Sequence, residues 1–472
     1  MQRKIILFEL NEVPSRVLDA YCAAKPDSEL ALLVQHARRF ETLTEDVGSL
    51  SPWITWPSLH RGVNNERHLL GDFGQSTADA DGEYPSIWQF LSDSDVPVGV
   101  CGSLHSYPLP EHPERYAFYL PDTFAAGSEC FPEVLDSFQA FNLAMARESA
   151  RNVDSRIPWS AALRLLASVP RLGFKPATMI DVARQLIDER LTPPRVVRRR
   201  TYQSVLAFDV FMHQLVRTQP AFATFFTNHV ASAMHRYWAA AFPEDYAETT
   251  HTPEWIRTYR DEIFWCMDRA SDMLGRLRSF VTEHPEYTIW VATSMGQEAT
   301  VARACETQLY VTDAQRLMTA LGFPQGSWQS RPAMLPQFNV AVAPQDQETL
   351  VSNLAKFAID GQPVSCRVSD AGFVSMDFGH PNLADPVLVT LSNERRSAES
   401  IGLTNIEIQD KSGTSAYHIP QGCLIVFDPR LQRTDAGTIP SISSLEIAPA
   451  ILRNFGIPAP GYMARTSRAF TA

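Results

Sequence analysis

Five short and nearly continuous apolar runs alternate with helical patterns along this chain of 472 residues, and they limit the folds open to it. Apolar runs of this kind are typical of strands that are buried on both faces of a parallel sheet. The runs are residues 5–8, 96–102, 221–227, 287–293 and 424–427.

Helical patterns separate these runs at residues 14–24 and 86–91 and, as one long amphipathic helix, at 254–283. Strands alternating with helices predict an α/β fold with a doubly wound, mostly parallel central sheet flanked by helices. In such a sheet the ligand site lies beyond the carboxyl ends of the strands.

Two long segments between the strands have a different character. Residues 110–215 are helix-like with frequent proline, and residues 300–410 mix helical, strand and loop patterns. The chain shows no internal repeat and no low-complexity linker. We therefore predict one α/β domain over residues 1–472, with a helical cap insertion at 110–215 and a second, α+β insertion at 300–410.

Composition and charge limit the partners and the cellular location that we expect for this chain. The net charge of −12 disfavours a nucleic-acid binder, which needs a basic face. The seven cysteines form no C-x-x-C pair and indicate reduced thiols. The start of the chain is typical of a first strand, not of a signal peptide, and no apolar run approaches a membrane span. We predict a cytoplasmic protein with a small, anionic substrate and without a nucleic-acid or membrane partner; the oligomeric state stays open.

A basic cluster interrupts the acidic trend after Pro193 and Pro194. It indicates either a solvated start of a helix or a patch that steers phosphate groups. Its members are Arg195, Arg198, Arg199 and Arg200.

The segment from Trp53 to Gly62 holds two hydroxyl groups, Thr55 and Ser58, followed by Arg61. Either hydroxyl would lie at a helix N-terminus, where free N–H groups and the helix dipole stabilise an anion. Arg61 would help to hold that anion. Ser58 is equally explained as the cap of that helix.

Three motifs together resemble the alkaline phosphatase superfamily, in its type I phosphodiesterase and nucleotide pyrophosphatase branch. The first is a histidine, His418, ahead of a Gly-led strand, with E-I-A-P and G-I-P-A-P beyond it; the second is T-W-P-S from Thr55; the third is H-R-Y-W from His235. The resemblance implies two metal ions and a Thr or Ser nucleophile.

On that resemblance, Thr55 matches the nucleophile by its local motif, whereas counting back from Gly62 favours Ser58. The implied metal ligands are His235 and His418, joined by Asn228 and by Asn11 or Glu9 at the first strand. His229 is an extra imidazole that could act as a general acid or base.

The sequence departs from the family where the fourth strand ends. Ser294 and Met295 stand where the family has an Asp and a His, and a thioether does not suit zinc or manganese. We therefore predict a degenerate centre with one divalent ion, zinc or manganese, or with none.

The resulting functional hypothesis is a phosphodiesterase- or phosphatase-like hydrolase, or a group transferase, with an altered metal centre. One alternative is an inactive relative that binds a phosphorylated metabolite or a partner. A weaker alternative is a metal-independent acyl or sulfuryl transferase in a biosynthetic pathway.

Overall fold

The computed structural model describes residues 2–72, 75–148, 165, 170–333, 335–369, 372–431 and 439–466. The α-helices of the described residues are α1 Ser15–Ala24, α2 Glu29–His36, α3 Pro52–Arg61, α4 Asn65–His68, α5 Ala78–Glu83, α6 Ile87–Asp93, α7 Asp136–Glu148, α8 Pro176–Leu191, α9 Arg199–Thr218, α10 His229–Ala241, α11 Pro253–Tyr259, α12 Glu262–Glu283, α13 Ala314–Ala320, α14 Gln347–Leu354 and α15 Ile447–Asn454.

The strands fall into one large sheet and several small ones. They are β1 Lys4–Leu10, β2 Arg38–Leu43, β3 Val98–Cys101, β4 Phe118–Leu120, β5 Phe222–Thr227, β6 Tyr287–Ala292, β7 Gly296–Ala299, β8 Thr307–Val311, β9 Trp328–Arg331, β10 Gln337–Val342, β11 Phe357–Ile359, β12 Gln362–Pro363, β13 Ser365–Val368, β14 Val374–Asp377, β15 Leu388–Leu391, β16 Glu394–Ser397, β17 Leu403–Glu407, β18 Ala416–Ile419, β19 Gln421–Phe427 and β20 Ser441–Ser443.

The central sheet has eight strands in the order β20-β2-β19-β6-β1-β5-β3-β4. Strands β6, β1, β5, β3 and β4 are parallel neighbours, and β19 runs antiparallel to both β6 and β2. Helices pack on both faces of this sheet. The predicted fold class, a mostly parallel sheet flanked by helices, is confirmed.

Strand β1 shows why the apolar runs are continuous. Ile6 and Phe8 belong to the hydrophobic cluster on one face of the sheet, and Ile5 and Leu7 to the cluster on the other. Because alternate side chains enter two different cores, every position has to be apolar.

The sequence analysis did not predict three strands of the central sheet. Strand β2 (RRFETL) alternates between exposed and buried residues, and β20 is three residues long, so neither forms an apolar run. Strand β4 lies inside the predicted 110–215 insertion, yet it forms an edge of the central sheet.

The predicted long helix over residues 254–283 is two helices, α11 and α12, separated by Arg260 and Asp261. Asp261 is the N-cap residue of α12, a position that aspartate favours over a helix interior. The amphipathic pattern continues across the break, which is why the sequence predicted a single helix.

Residues 307–407 contain small antiparallel sheets and a hydrophobic cluster of their own, which runs from Leu309 to Leu403. In the 110–215 segment, α7, α8 and α9 are helical, while residues 149–164 and 166–169 lie outside the described residues. The division into one domain with two insertions stays a prediction. None of the described helices is long and apolar enough to cross a membrane.

Candidate functional site

The carboxyl ends of β1, β5 and β6 meet at one edge of the central sheet, because these three strands are parallel neighbours. Glu12 follows β1, Asn228 follows β5 and Ser294 follows β6. Strand β18 pairs with β7, with His418 opposite Gln297, and this pairing brings His418 to the same edge.

A carboxylate and two imidazoles converge at this edge. Glu12 Oε2 lies 3.0 Å from His235 Nε2 and 3.4 Å from His418 Nε2. The three side chains form a group whose ligand atoms all lie within 4.8 Å of one another. Glu12 is buried, whereas the side chain of His235 is 26% exposed, so His235 is the member of the cluster that is most open to solvent.

Both imidazoles are held in the same orientation. His235 Nδ1 lies 2.7 Å from the carbonyl oxygen of Ala416, and His418 Nδ1 lies 2.8 Å from that of Leu50. A carbonyl oxygen only accepts hydrogen bonds, so each Nδ1 carries the hydrogen and each Nε2 is directed at Glu12. Histidines that bind metals are commonly oriented in this way.

The charges of the cluster stabilise one another. Burial alone would raise the pKa of Glu12, but the charges of His235 and His418 and their hydrogen bonds hold that pKa well below its usual range. Burial alone would lower the pKa of His418, but its hydrogen bond to Glu12 and the charge of that carboxylate raise it. Glu12 is therefore ionised at neutral pH, as a metal ligand has to be.

Two amides complete the surroundings of Glu12. Asn11 Nδ2 donates to Glu12 Oε1 over 2.8 Å, and Gln297 Nε2 donates to Glu12 Oε2 in a short contact. Gln297 Nε2 also lies 3.2 Å from the carbonyl oxygen of Ala231, which anchors it to α10. These hydrogen bonds fix the rotamer of the carboxylate.

Sequence reasoning missed Glu12 and Gln297. Strand β1 ends at Leu10, and Glu12 adopts a left-handed conformation with φ of 60° in the turn that follows. This turn directs the carboxylate, one position beyond Asn11, towards the histidines. One feature of the sequence could have identified Glu12: it is a carboxylate that lies two residues after the end of a buried strand.

Asn11 and Asn228 lie beside the cluster. Asn11 Oδ1 accepts from Trp56 Nε1 over 2.7 Å, and Asn11 Nδ2 lies 2.7 Å from Asn228 Oδ1. The amide oxygen of Asn11 is thus engaged by an indole and not directed at the imidazoles. Asn228 is exposed to solvent.

Glu9 lies in a different environment. Its Oε1 is 2.8 Å from His60 Nε2, and both side chains are buried. The His60 ring packs against the rings of Trp56 and Trp88. Glu9 therefore does not reach His235 and His418, and the register shift that would make it a ligand does not occur.

The two candidate hydroxyls differ in their surroundings. Helix α3 begins at Pro52 after the N-cap Ser51, so Thr55 lies at the end of its first turn. Thr55 Oγ1 lies 2.7 Å from Ser294 Oγ, and neither residue has exposed surface. Thr55 is therefore joined to the residue that follows β6 at the site edge.

Ser58 lies one turn later and points into a closed polar cluster. Ser58 Oγ donates to Asp46 over 2.5 Å and lies 2.8 Å from His68 Nε2. His68 Nδ1 accepts from the Leu70 N–H, so Nε2 carries the hydrogen and donates to Ser58. Burial, together with the charge of Arg61, lowers the pKa of His68 to about 3. This histidine cannot serve as a base for Ser58 in this arrangement.

Two further candidates are held by structural contacts. Arg61 is buried and donates to the carbonyl oxygen of Tyr84 and to Asp81, over 2.7 and 2.8 Å. His229 is buried, with Nδ1 2.6 Å from Thr227 Oγ1 and Nε2 3.0 Å from the carbonyl oxygen of Cys266. Burial lowers the pKa of His229 to about 4.

The two residues that the sequence analysis named as degenerate ligand positions, Ser294 and Met295, are both inaccessible. Met295 is fully buried and belongs to the interior, and the Ser294 hydroxyl is bound to Thr55. In the basic cluster, Arg195, Arg198 and Arg199 pair with Asp188, Glu262 and Glu189. These ion pairs favour the interpretation as a helix start over a patch that steers phosphate groups.

No protein-family model and no curated protein matches the chain. Among solved structures it is similar to the phosphonoacetate hydrolase of Sinorhizobium meliloti 1021, with a TM-score of 0.42 and 12% identity over 96% of each chain. It is also similar to murine ectonucleotide pyrophosphatase/phosphodiesterase 5, with a TM-score of 0.40 and 9% identity over 98% of this chain and 97% of that one.

The human form of the second protein matches with a TM-score of 0.39 and 8% identity, over 98% of this chain and 97% of that one. At these TM-scores and identities, the likenesses assign no role to any residue of the site.

Proposed function

We propose that this chain is a hydrolase or group transferase that acts on a phosphoester or a closely related anionic ester. Its reaction centre would be Glu12, His235 and His418. The observation that carries the proposal is the convergence of one carboxylate and two imidazoles, all with fixed orientations, at the carboxyl edge of the parallel strands. This edge is where ligands bind in sheets of this type.

The donor set fits one divalent ion. Ligand atoms of a tetrahedral zinc site lie about 2.0–2.2 Å from the ion and therefore roughly 3.3–3.6 Å from one another. The separations of 3.0 and 3.4 Å from Glu12 Oε2 to the two Nε2 atoms are close to that range. Two histidines and one glutamate also form a known zinc donor set that leaves a position open for water or substrate.

A single ion is favoured over two. Among the described residues, one group of three side chains has its potential ligand atoms close enough together to bind a metal ion. The group is Glu12, His235 and His418. Ser294 and Met295 offer no charge at the end of β6, so a second divalent ion would find too few anionic donors there. When bound, the ion would supply Lewis-acid polarisation of the ester and a lowered pKa of coordinated water.

The chain's own residues would position the substrate and the nucleophile. Thr55 is the better nucleophile candidate of the two hydroxyls, because Ser58 is enclosed by Asp46 and His68. Ser294 would orient the Thr55 hydroxyl through their 2.7 Å contact. Thr55 has no exposed surface, so access to it requires movement of the side chains that cover it.

The same burial favours a second candidate function. A chain whose hydroxyl is covered, and whose Asp and His ligands are replaced by Ser294 and Met295, would bind an anionic ligand at the single cationic centre without turning it over. This candidate shares the metal site but needs no nucleophile.

One experiment separates the two functions. The purified protein, loaded with zinc or manganese, would be screened against phosphate monoesters and diesters and related anionic esters. Turnover that is lost in both Glu12→Gln and His418→Gln supports the enzyme. Binding of an anionic ester with one bound ion and no turnover supports the second candidate, and absence of both turnover and binding rejects the proposed site.

A further inference from the structure

Helix α8 presents an unusual outer surface for a chain of net charge −12. Its exposed aliphatic residues are Ile180, Ile187 and Leu191, with 52%, 60% and 77% of their surface accessible. Their spacing of seven and four residues places them on one face of the helix. A row of large aliphatic side chains on one helix face marks an interaction surface more often than isolated ones do.

Basic residues border this row. Arg184 lies between Ile180 and Ile187 on the same face, with its side chain 75% exposed, and Arg190 is exposed beside Leu191. We call these five residues, Ile180, Arg184, Ile187, Arg190 and Leu191, the α8 face. Arg171 and Lys175 are exposed just before the helix.

The most exposed charged residues of this region are basic. Among the described residues between 170 and 193, four basic residues are exposed, whereas the three acidic residues are less exposed. The side chains of Asp181 and Asp188 are 41% and 47% accessible and pair with Arg184 and Arg195, and the Glu189 side chain, which is 7% accessible, pairs with Arg199. Because each carboxylate is paired with an arginine, the outer surface is aliphatic with a net positive charge.

We propose that the α8 face docks on an anionic lipid membrane. Interfacial helices combine aliphatic side chains, which enter the acyl boundary, with lysine and arginine side chains, which reach the headgroups. The long arginine side chains at positions 184 and 190 reach headgroup phosphates while the aliphatic residues beside them leave water. The proposal departs from the expectation, based on the sequence, that the protein has no membrane partner.

The charge of the face argues against two other occupants. A second copy of the chain would bring the same arginines against each other, because a two-fold interface is self-complementary. The phosphates of a nucleic acid would pair with the arginines, but its backbone offers no apolar surface against which the three aliphatic side chains could pack. An anionic membrane provides both.

The test is sedimentation of the full-length protein with vesicles of phosphatidylcholine alone, and of two parts phosphatidylcholine to one part phosphatidylglycerol. We expect binding to the anionic vesicles only, weakened by added salt. Ile180→Ser/Ile187→Ser/Leu191→Ser should reduce binding at least tenfold. Arg184→Gln/Arg190→Gln should reduce it by roughly fivefold for each charge removed.

A matched control replaces three exposed valines elsewhere, Val47, Val301 and Val368, with serine. This variant should bind like the unaltered chain. The proposal is overturned if the unaltered chain does not bind anionic vesicles, or if the control loses as much binding as the α8 variants. Light scattering that shows a dimer, dissociated by the triple α8 variant, would assign the face to a second copy instead.

Discussion

His418 donates its Nδ1 hydrogen to the carbonyl oxygen of Leu50 over 2.8 Å, which joins a candidate metal ligand to the residue before the N-cap of α3. Helix α3 carries Thr55, whose hydroxyl contacts Ser294 at the end of β6. One imidazole thus orients towards Glu12 and at the same time fixes the start of the helix that carries the proposed nucleophile. Hydrogen bonds therefore connect the proposed metal centre to the helix that carries the Thr55 hydroxyl.

The two hydroxyls of α3 should respond differently to substitution. Thr55→Ala should abolish turnover of an anionic ester, and Thr55→Ser, which retains the hydroxyl, should keep part of it. Ser58→Ala should leave turnover in place but destabilise the fold by about 1–3 kcal/mol, because Asp46 and His68 lose a buried partner. Steady-state rates and urea unfolding measure both effects. Loss of turnover in a folded Ser58→Ala protein would reverse the assignment.

Asp410 should act as a positioning residue for His235. It is buried and accepts from Tyr237 Oη over 2.6 Å and from Ser412 Oγ over 2.7 Å, with Arg236 3.4 Å away. It therefore ties α10 to the loop that leads to Ala416, whose carbonyl orients His235.

Asp410→Asn should weaken metal binding by roughly tenfold in protein that is still folded. It should also lower the free energy of unfolding by about 3 kcal/mol, because Arg236 keeps a buried charge without its partner. Titration calorimetry with zinc measures the first effect and urea unfolding the second. Asp27→Asn, at an exposed position, is the control; an Asp410→Asn protein with unchanged zinc affinity would leave Asp410 a purely structural role.

His229 should contribute to the pH dependence of stability. Burial lowers its pKa to about 4, against about 6.5 in the unfolded chain. Below pH 6.5 His229 binds a proton in the unfolded state, whereas in the folded state it binds one only near pH 4 and below. The stabilising contribution is therefore fully present above pH 6.5 and is lost as the pH falls from 6.5 to 4.

Urea unfolding at pH 7.5 and pH 5 tests this assignment. His229→Gln should reduce the difference in unfolding free energy between the two pH values by roughly 2 kcal/mol. His112→Gln, at an exposed histidine, should leave the difference unchanged. An unchanged difference in the His229 variant would mean that folding does not lower the pKa of this imidazole.

The fold was more predictable from the sequence than the site. Strands β1, β5 and β6 are buried on both faces, so their apolar runs located them in the sequence and indicated a mostly parallel sheet, although not the order of the strands. Strand β2 is polar on one face and β4 is only three residues long, so neither left a periodic signal. Pattern alone also could not separate α11 from α12.

Site residues depend on turn geometry that a sequence pattern does not encode. His235 and His418 were predicted as ligands and lie together, whereas the carboxylate that joins them, Glu12, was passed over for its neighbour Asn11. The left-handed conformation of Glu12 decides which side chain faces the histidines. The roles of Arg61 and His229 could not be foreseen either, because their partners Asp81 and Cys266 are distant in sequence.

The number of zinc or manganese ions bound per chain is the most direct test of the proposed centre. Mass spectrometry of the intact protein and elemental analysis should find one ion, which Glu12→Gln should lose and Glu298→Gln, an exposed carboxylate on β7, should keep. Two ions per chain, or one ion that persists in Glu12→Gln, would contradict a single centre built from Glu12, His235 and His418.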